Sequence, residues 1–261
     1  MKQSGTIISN EILQDDYYIV KFHAPEICKT TKPGQFVHVK IANLRDRILR
    51  RPFSICNVDN NGVLTIAYKV VGEGTEALAK LTPGAVCDLM GPLGNPFTLP
   101  AVDEIPVIVA GGYGSAATYI LAQRSPKPGI LLLGARSKTD LILTEEFAQA
   151  GFEVRTATED GSQGYTGRVT ELLPAVFEQH KNAKLRFYGC GPTGMLMALG
   201  KILMANDYAN GELSLDHLMC CGVGACFACV VKIKADNEDG WRYARTCKEG
   251  PVFKASDVYY G

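Results

Sequence analysis

The spacing of the cysteines in the last fifth of the chain constrains its fold more than any other feature. Of nine cysteines, Cys28, Cys56, Cys87 and Cys190 are scattered, whereas Cys220, Cys221, Cys226, Cys229 and Cys247 lie close together. Scattered cysteines are ordinarily small core hydrophobes. Clustered ones, in a compartment that keeps thiols reduced, point to a metal site rather than to disulfides. Cys221, Cys226, Cys229 and Cys247 stand as C-x4-C-x2-C-x17-C, the plant-type spacing of [2Fe-2S] ligands. Two irons need four thiolates, and a glycine-rich loop lets backbone N–H groups approach the sulfurs. Residues 230–234 then read as a strand, 236–240 as a turn and 241–246 as a returning strand, a hairpin that brings Cys247 back beside Cys229. A structural zinc site also takes four thiolates, although its usual form is two short C-x2-C pairs. Using Cys220 in place of Cys221 lengthens the first interval, so Cys220 is left as a packed or idle thiol.

Upstream, two different grammars follow one another. Residues 18–23, 36–41, 53–57, 63–71 and 86–90 are short runs of β-branched and aromatic residues, punctuated by Lys32-Pro33-Gly34, Asn60-Asn61-Gly62 and Thr82-Pro83-Gly84. They predict a small antiparallel β-barrel over residues 1–100. From about Ile105, apolar strands at 107–110, 130–133, 152–157 and 185–188 alternate with helical patterns at 115–123, 145–150, 170–179 and 193–206. That alternation predicts a parallel sheet with helices on its faces, spanning 101–210. The breaker-rich stretch 91–96 marks the first boundary, and 211–261 carries the cysteines. The chain is thus expected to be multidomain, β followed by α/β.

Four short stretches have the chemistry of a nucleotide or phosphate site. Arg50-Arg51-Pro52-Phe53-Ser54 puts cations, an aromatic ring and a hydroxyl at a strand start, where arginines are otherwise simply solvated. Gly72-Glu73-Gly74-Thr75 precedes a helical pattern at 76–81. Its N–H groups suit a phosphate, but a threonine with an acidic first turn also begins an ordinary helix. Gly111-Gly112-Tyr113-Gly114-Ser115 follows a parallel strand, and Tyr188-Gly189-Cys190-Gly191-Pro192 ends another, so both loops are expected at one crevice. The first is not the G-x-G-x-x-G fingerprint, and its glycines also fit a purely structural turn.

Taken together, R-P-x-S in a β-barrel, G-x-G-T before a helix, a nucleotide domain and a C-terminal cysteine cluster resemble the ferredoxin–NADP reductase superfamily. Within it the chain is most similar, along its whole length, to the electron-transfer subunits of two-subunit, NAD-linked dihydroorotate dehydrogenases. The resemblance implies that Arg51, Pro52, Phe53, Ser54, Ala67, Tyr68, Lys69, Gly74 and Thr75 hold FAD, with the arginine on the pyrophosphate and the aromatic and Ser54 beside the isoalloxazine and its N5 edge. It implies that Gly111, Gly112, Gly114, Cys190, Gly191 and Pro192 serve NAD, with Cys190 beside the nicotinamide. Tyr113 and Ala117 depart from the family's first loop, and the bulk of Tyr113 narrows the pocket. Glu159-Asp160-Gly161-Ser162 resembles a family segment near the dinucleotide. Arg136 and Lys138 are candidates for a 2′-phosphate, but a solvated strand end explains them as well, and NAD is favoured.

The resemblance further implies an oxidoreductase subunit with FAD, a [2Fe-2S] cluster and NAD. It would work with a catalytic dihydroorotate dehydrogenase subunit containing FMN, as a heterotetramer, with no substrate-oxidising acid or base of its own. Two rivals remain at this point. A reductase of the same fold runs electrons outward from NAD(P)H to an oxygenase, hydrogenase or transhydrogenase; the related transhydrogenase subunits are expected to have aspartate where Cys221 stands. A zinc-stabilised nucleotide-binding sensor is not an enzyme at all. Composition narrows the partners: 27 Lys and Arg balance 27 Asp and Glu, so no net charge draws the chain to nucleic acid or an acidic membrane. No run approaches the roughly 18 apolar residues of a membrane span and the start lacks a signal-peptide core, which predicts a cytoplasmic protein.

Overall fold

The structure, a computed structural model, describes residues 1–41, 44, 48–215 and 218–261. Its first sheet contains β1 (Lys2–Gln14), β2 (Tyr17–His23), β3 (Phe36–Lys40), β4 (Arg51–Ser54), β5 (Asn57–Val58), β6 (Val63–Lys69) and β7 (Val86–Leu93), in the order β4-β3-β7-β1-β2-β6-β5. All the pairings are antiparallel. The two outermost strands, β4 and β5, are successive segments of one bent stretch of chain, which closes the sheet into the expected barrel. At the bend, Ile55 N–H donates to Gln35 O at 3.0 Å and Cys56 N–H to Thr65 O at 2.9 Å. Helices α1 (Pro25–Thr30) and α2 (Glu73–Ala79) lie between strands. Val20, Phe22, Ile27, Val37, Ile66 and Leu89 are among the buried side chains of the barrel core.

The second layer is built from β8 (Glu104–Gly111), α3 (Gly114–Arg124), β9 (Ile130–Ala135), α4 (Thr144–Gln149), β10 (Glu153–Thr158), β11 (Tyr165–Thr166), α5 (Leu173–Gln179), β12 (Lys184–Cys190) and α6 (Thr193–Ala205). It continues into β13 (Glu212–Ser214) and, after the hairpin β14 (Val230–Lys234) and β15 (Trp241–Arg245), into β16 (Val252–Lys254). The sheet order is β11-β10-β9-β8-β12-β13-β16, parallel except for β16. The chain winds outward from β8 to β11, then returns to the other side of β8 as β12. The switch point therefore lies between the carboxyl ends of β8 and β12, where open α/β sheets bind ligands.

A sheet boundary does not coincide with residue 210, because β13 and β16 are strands of the nucleotide sheet. The cysteine loop and its hairpin are an excursion between those two strands. Two polar ties fix this arrangement to the barrel. Asn95 donates from its backbone N–H to Gly250 O at 2.6 Å and from Nδ2 to Glu249 O at 2.7 Å. The buried carboxylate of Glu212 on β13 accepts both the N–H and the hydroxyl of Thr98 at 2.8 Å, and is paired with Arg186 at 3.0 Å. Among the described residues no helix is long and apolar enough to cross a membrane.

Candidate functional site

Two cavities and a group of thiols adjoin one another. The larger cavity, about 1090 Å³, opens on the barrel between β4, the end of β6 and the start of α2. Its wall includes Arg51, Pro52, Phe53, Ser54, Ala67, Tyr68, Lys69, Gly74 and Thr75. Barrel closure brings the two halves of this set together: the rings of Phe53 and Tyr68 meet edge-on at 5.8 Å. The two arginines have different surroundings. Arg50 is bound to the Asp88 carboxylate and, at 2.7 Å, to Asp88 O, whereas Arg51, among the described residues, donates to Leu49 O; both line the cavity. A Cβ on Gly74 would lie 2.7 Å from Arg51 Nε, so the missing side chain is what lets the guanidinium rest on the start of α2. The helix starts earlier than residue 76 because Thr75 Oγ1 caps it from within, accepting the N–H groups of Val71 at 2.9 Å and Gly72 at 3.2 Å. Phe36 and Met219, also in this wall, carry no motif signal and are not found by sequence reasoning.

The smaller cavity, about 550 Å³, lies at the switch point, with Gly111, Gly112 and Tyr113 from the end of β8 facing Pro192, Gly194 and Met195 from the end of β12. The loops touch: a Cβ on Gly111 would lie 2.6 Å from Pro192 Cδ. Gly112 takes φ +53°, a left-handed conformation that glycine adopts without strain. Gly114, Cys190 and Gly191 are not in either cavity wall. Gly114 serves packing of α3 against β12, since a Cβ there would lie 2.1 Å from Cys190 O. Gly114→Ala is therefore expected to cost about 1–3 kcal/mol by overpacking, read as a lowered midpoint in calorimetry; an unchanged midpoint contradicts this close approach.

Lys69 and Tyr113 stand in both walls. At this junction Asp140 accepts Lys69 Nζ at 2.7 Å and the Tyr17 hydroxyl at 2.9 Å. The Lys69 hydrogen bond, reinforced by that of Tyr17 against the opposing effect of burial, holds the Asp140 carboxyl below its ordinary range. Burial, then Asp140, pushes the Tyr17 phenol up, so it stays a donor. Of the two cations considered for a 2′-phosphate, Arg136 faces the smaller cavity and Lys138 does not; Glu159 and Arg168, the latter unmarked in sequence, complete that side.

The thiols converge on the other flank of the larger cavity. Register in the hairpin pairs Val230 with Arg245, and Thr246 N–H donates to Cys229 O at 2.8 Å, which delivers Cys247 to Cys229. Their thiols are hydrogen-bonded, as are those of Cys221 and Cys226. Burial opposes a thiolate at Cys221, but the N–H groups of Val223, Cys226 and Ala225, together with the Cys226 thiol, outweigh it and hold Cys221 down to about 6. Burial and Cys229 push Cys247 up to about 12 while the N–H of Gly224 works in the other direction. Four successive amides thus surround the thiols, a nest suited to a negatively charged centre. Among the described residues no three His, Cys, Asp or Glu side chains are arranged round a single ion; these thiols meet as two pairs. Cys220 is closer than its spacing suggests, with its thiol hydrogen-bonded to Cys226. Arg245 clamps the loop, donating to Gly224 O at 2.7 Å and pairing with Glu249. Phe36 packs on both Cys229 and Cys247, with Met219 against the same group.

Comparison with known proteins bears on all three sites. The family described as an oxidoreductase FAD-binding domain matches residues 4–97, the barrel with the larger cavity. The iron-sulfur cluster binding domain of dihydroorotate dehydrogenase B matches residues 216–259, the thiol loop and hairpin. The dihydroorotate dehydrogenase B (NAD(+)) electron transfer subunit of Geobacillus kaustophilus is 39% identical, over 98% of both chains. The chain belongs to that family. The subunit of Desulforamulus reducens is 40% identical over 93% of this chain and 92% of its own. Dihydroorotate dehydrogenase B electron transfer subunits such as this one are oxidoreductase components that use FAD and an iron–sulfur cluster to pass electrons to NAD+ in pyrimidine biosynthesis. Among solved structures, the NADH-dependent reduced ferredoxin-NADP oxidoreductase of flavin-based electron bifurcation aligns over 98% of this chain and 90% of its own, with a TM-score of 0.82 and 26% identity.

Proposed function

We propose that electrons enter at a [2Fe-2S] cluster on Cys221, Cys226, Cys229 and Cys247, pass to FAD in the larger cavity and leave on NAD+ in the smaller one. They come from a catalytic partner subunit containing FMN that oxidises dihydroorotate. The observation that carries this reading is contiguity: Phe36 and Met219 are shared by the thiol group and the larger cavity, and Lys69 and Tyr113 by the two cavities. The FAD, when bound, exchanges one-electron steps with the cluster for hydride transfer with the nicotinamide.

In this reading the chain binds, orients and excludes water. Arg51 pairs with the pyrophosphate, and Gly74 gives it the room to do so. Pro52, Phe53 and Ser54, together with Ala67, Tyr68 and Lys69, would form the wall that holds the isoalloxazine, and Thr75 would hold the helix start beside it. Gly111, Gly112 and Pro192 line the dinucleotide's path, while Gly114, Cys190 and Gly191 fix the shape of the loops behind it. Glu159 favours NAD, since a carboxylate accepts ribose hydroxyls and repels a 2′-phosphate. The amides of residues 223–226 and the cation of Arg245 favour the charged cluster. Leu218, Val223 and Phe227 are exposed around the thiols, an apolar rim suited to a docked partner, in an assembly read here as a heterotetramer. Nine free cysteines suit the reducing cytoplasm.

Anaerobic titration of the purified chain with NADH tests the relay. Bleaching of the flavin absorbance together with a reduced [2Fe-2S] signal in electron paramagnetic resonance is expected. A colourless, iron-free protein would leave zinc on the thiols and end this reading.

A further inference from the structure

His38 stands on β3 two residues after Phe36, so both side chains leave the strand on one face, and their rings are 5.7 Å apart. Phe36 covers Cys229 and Cys247; His38 meets the opposite half of the loop at Gly222. A Cβ on Gly222 would lie 2.8 Å from His38 Cε1, 2.8 Å from Nε2 and 3.1 Å from Cδ2. Those three atoms form the Nε2 corner of the imidazole, so the corner is aimed at the backbone between Cys221 and Val223. Gly222 takes φ +70°, and its lack of a side chain is what lets the ring reach the loop.

The ring is wholly buried, yet neither Nδ1 nor Nε2 has a hydrogen-bond partner. Its cross-strand neighbours offer little: Pro52 on β4 has no N–H, and Met90 on β7 has an apolar side chain. Burial, then the cation of Arg50, holds the imidazole down to about 4. A neutral imidazole has one nitrogen as donor and the other as acceptor, and an imidazolium has two donors, so in either form the ring can donate from Nε2. Native proteins leave few buried polar atoms unsatisfied, and each such atom calls for an explanation. The explanation here is a partner outside the polypeptide, on the side where Nε2 points.

We infer that His38 is a positioning residue of the iron–sulfur centre, donating from Nε2 to the sulfur shell at its Cys221 end and holding the loop against the flavin barrel. The four cysteines remain the complete ligand set, and the imidazole is an outer donor. Hydrogen bonds to cluster sulfur stabilise the more negative reduced state and so raise the reduction potential. By this contact the barrel that holds the flavin also sets how readily the cluster accepts an electron. The inference rests on the assignment of Cys221, Cys226, Cys229 and Cys247 to that cluster.

Redox titration of the full chain, followed by electron paramagnetic resonance, tests it with His38→Phe and His38→Gln. His38→Phe, which keeps the packing and loses both nitrogens, is expected to retain FAD and iron and to shift the cluster midpoint to more negative potential. His38→Gln, which keeps an N–H, returns it toward wild type. Wild-type protein labelled with 15N at its four histidines supplies a measurement independent of whether His38→Phe keeps its cluster. The reduced cluster is expected to show a 15N hyperfine coupling that is lost in similarly labelled His38→Gln. Equal midpoints in cluster-loaded wild type and His38→Phe, no histidine coupling in wild type, or a coupling that persists in His38→Gln would each overturn the role of His38. Wild-type protein without any [2Fe-2S] signal would instead overturn the cysteine assignment.

Discussion

Cys247→Ser is expected to yield a folded flavoprotein that has lost its [2Fe-2S] cluster and with it any transfer between the partner subunit and FAD, while Cys220→Ser keeps iron and labile sulfide at wild-type content. A serine hydroxyl is shorter than a thiol and far harder to ionise, so it is a poor replacement for a thiolate ligand. Cys247 is buried against Phe36 and bonded to Cys229, and no other thiol comes from that side of the hairpin. Cys220 is the demanding control, because its thiol reaches Cys226 and simple proximity would make it a candidate. Cys220 and Cys221 are both half-buried, and what separates them is that the N–H groups of Val223, Ala225 and Cys226 stabilise a thiolate at Cys221 and none of them does so at Cys220. Iron and sulfide analysis of the two variants decides the register. Loss of the cluster in Cys220→Ser with retention in Cys247→Ser would reverse the assignment.

Arg51→Ala is expected to emerge from gel filtration without FAD. Both arginines line the cavity; Arg50 is held by the Asp88 carboxylate, whereas among the described residues Arg51 has the Leu49 carbonyl as its acceptor and no carboxylate. A charge-assisted hydrogen bond contributes about 1.5–3 kcal/mol, which corresponds to an affinity loss of roughly 10- to 150-fold. The void beside Gly74 adds to this, since the guanidinium fills the space that a side chain there would take. Arg51→Lys, which keeps the charge without the planar fork, is expected to retain an intermediate amount. Stoichiometric FAD in Arg51→Ala would refute the pyrophosphate assignment.

The elements legible in the sequence are those whose stabilising partners are near in the chain. The strand read at 230–234 is β14, and the return strand differs from β15 by one residue, because turn, alternation and ligand spacing all agree there. The longest strand, β1, with 13 residues, leaves no such trace. It mixes polar residues with Gly5, whose bareness is needed only because Leu89 of a distant strand presses on it: a Cβ would lie 2.4 Å from Leu89 Cδ1. The short α1 likewise depends on a remote contact, Ile27 N–H donating to Gln3 Oε1 at 3.1 Å. β13 and β16 are three residues each and are strands only because β12 offers an edge, so the sequence division at 210 runs through territory the sheet claims.

The site divides in the same way. Its glycines, arginines and cysteines are marked by local motifs, and the recurrence of all nine barrel residues in one cavity wall follows from barrel closure. Of the residues that connect the sites, Lys69 and Tyr113 are marked by motifs. Phe36, Met219, Tyr17 and Asp140 are ordinary in sequence, and become connectors because strands from both layers meet there. His38 reads as one more polar residue within an apolar strand, and its isolation appears only when its neighbours are known.

The direction and route of the electrons are tested on the complex itself. The chain, purified from its native host with its partner subunit, should reduce NAD+ when dihydroorotate is added anaerobically. The same complex assembled with Cys247→Ser should oxidise dihydroorotate only as far as the partner's flavin and form no NADH. Undiminished NADH formation by the variant complex, or a chain that purifies with no dihydroorotate-oxidising partner, would contradict the account.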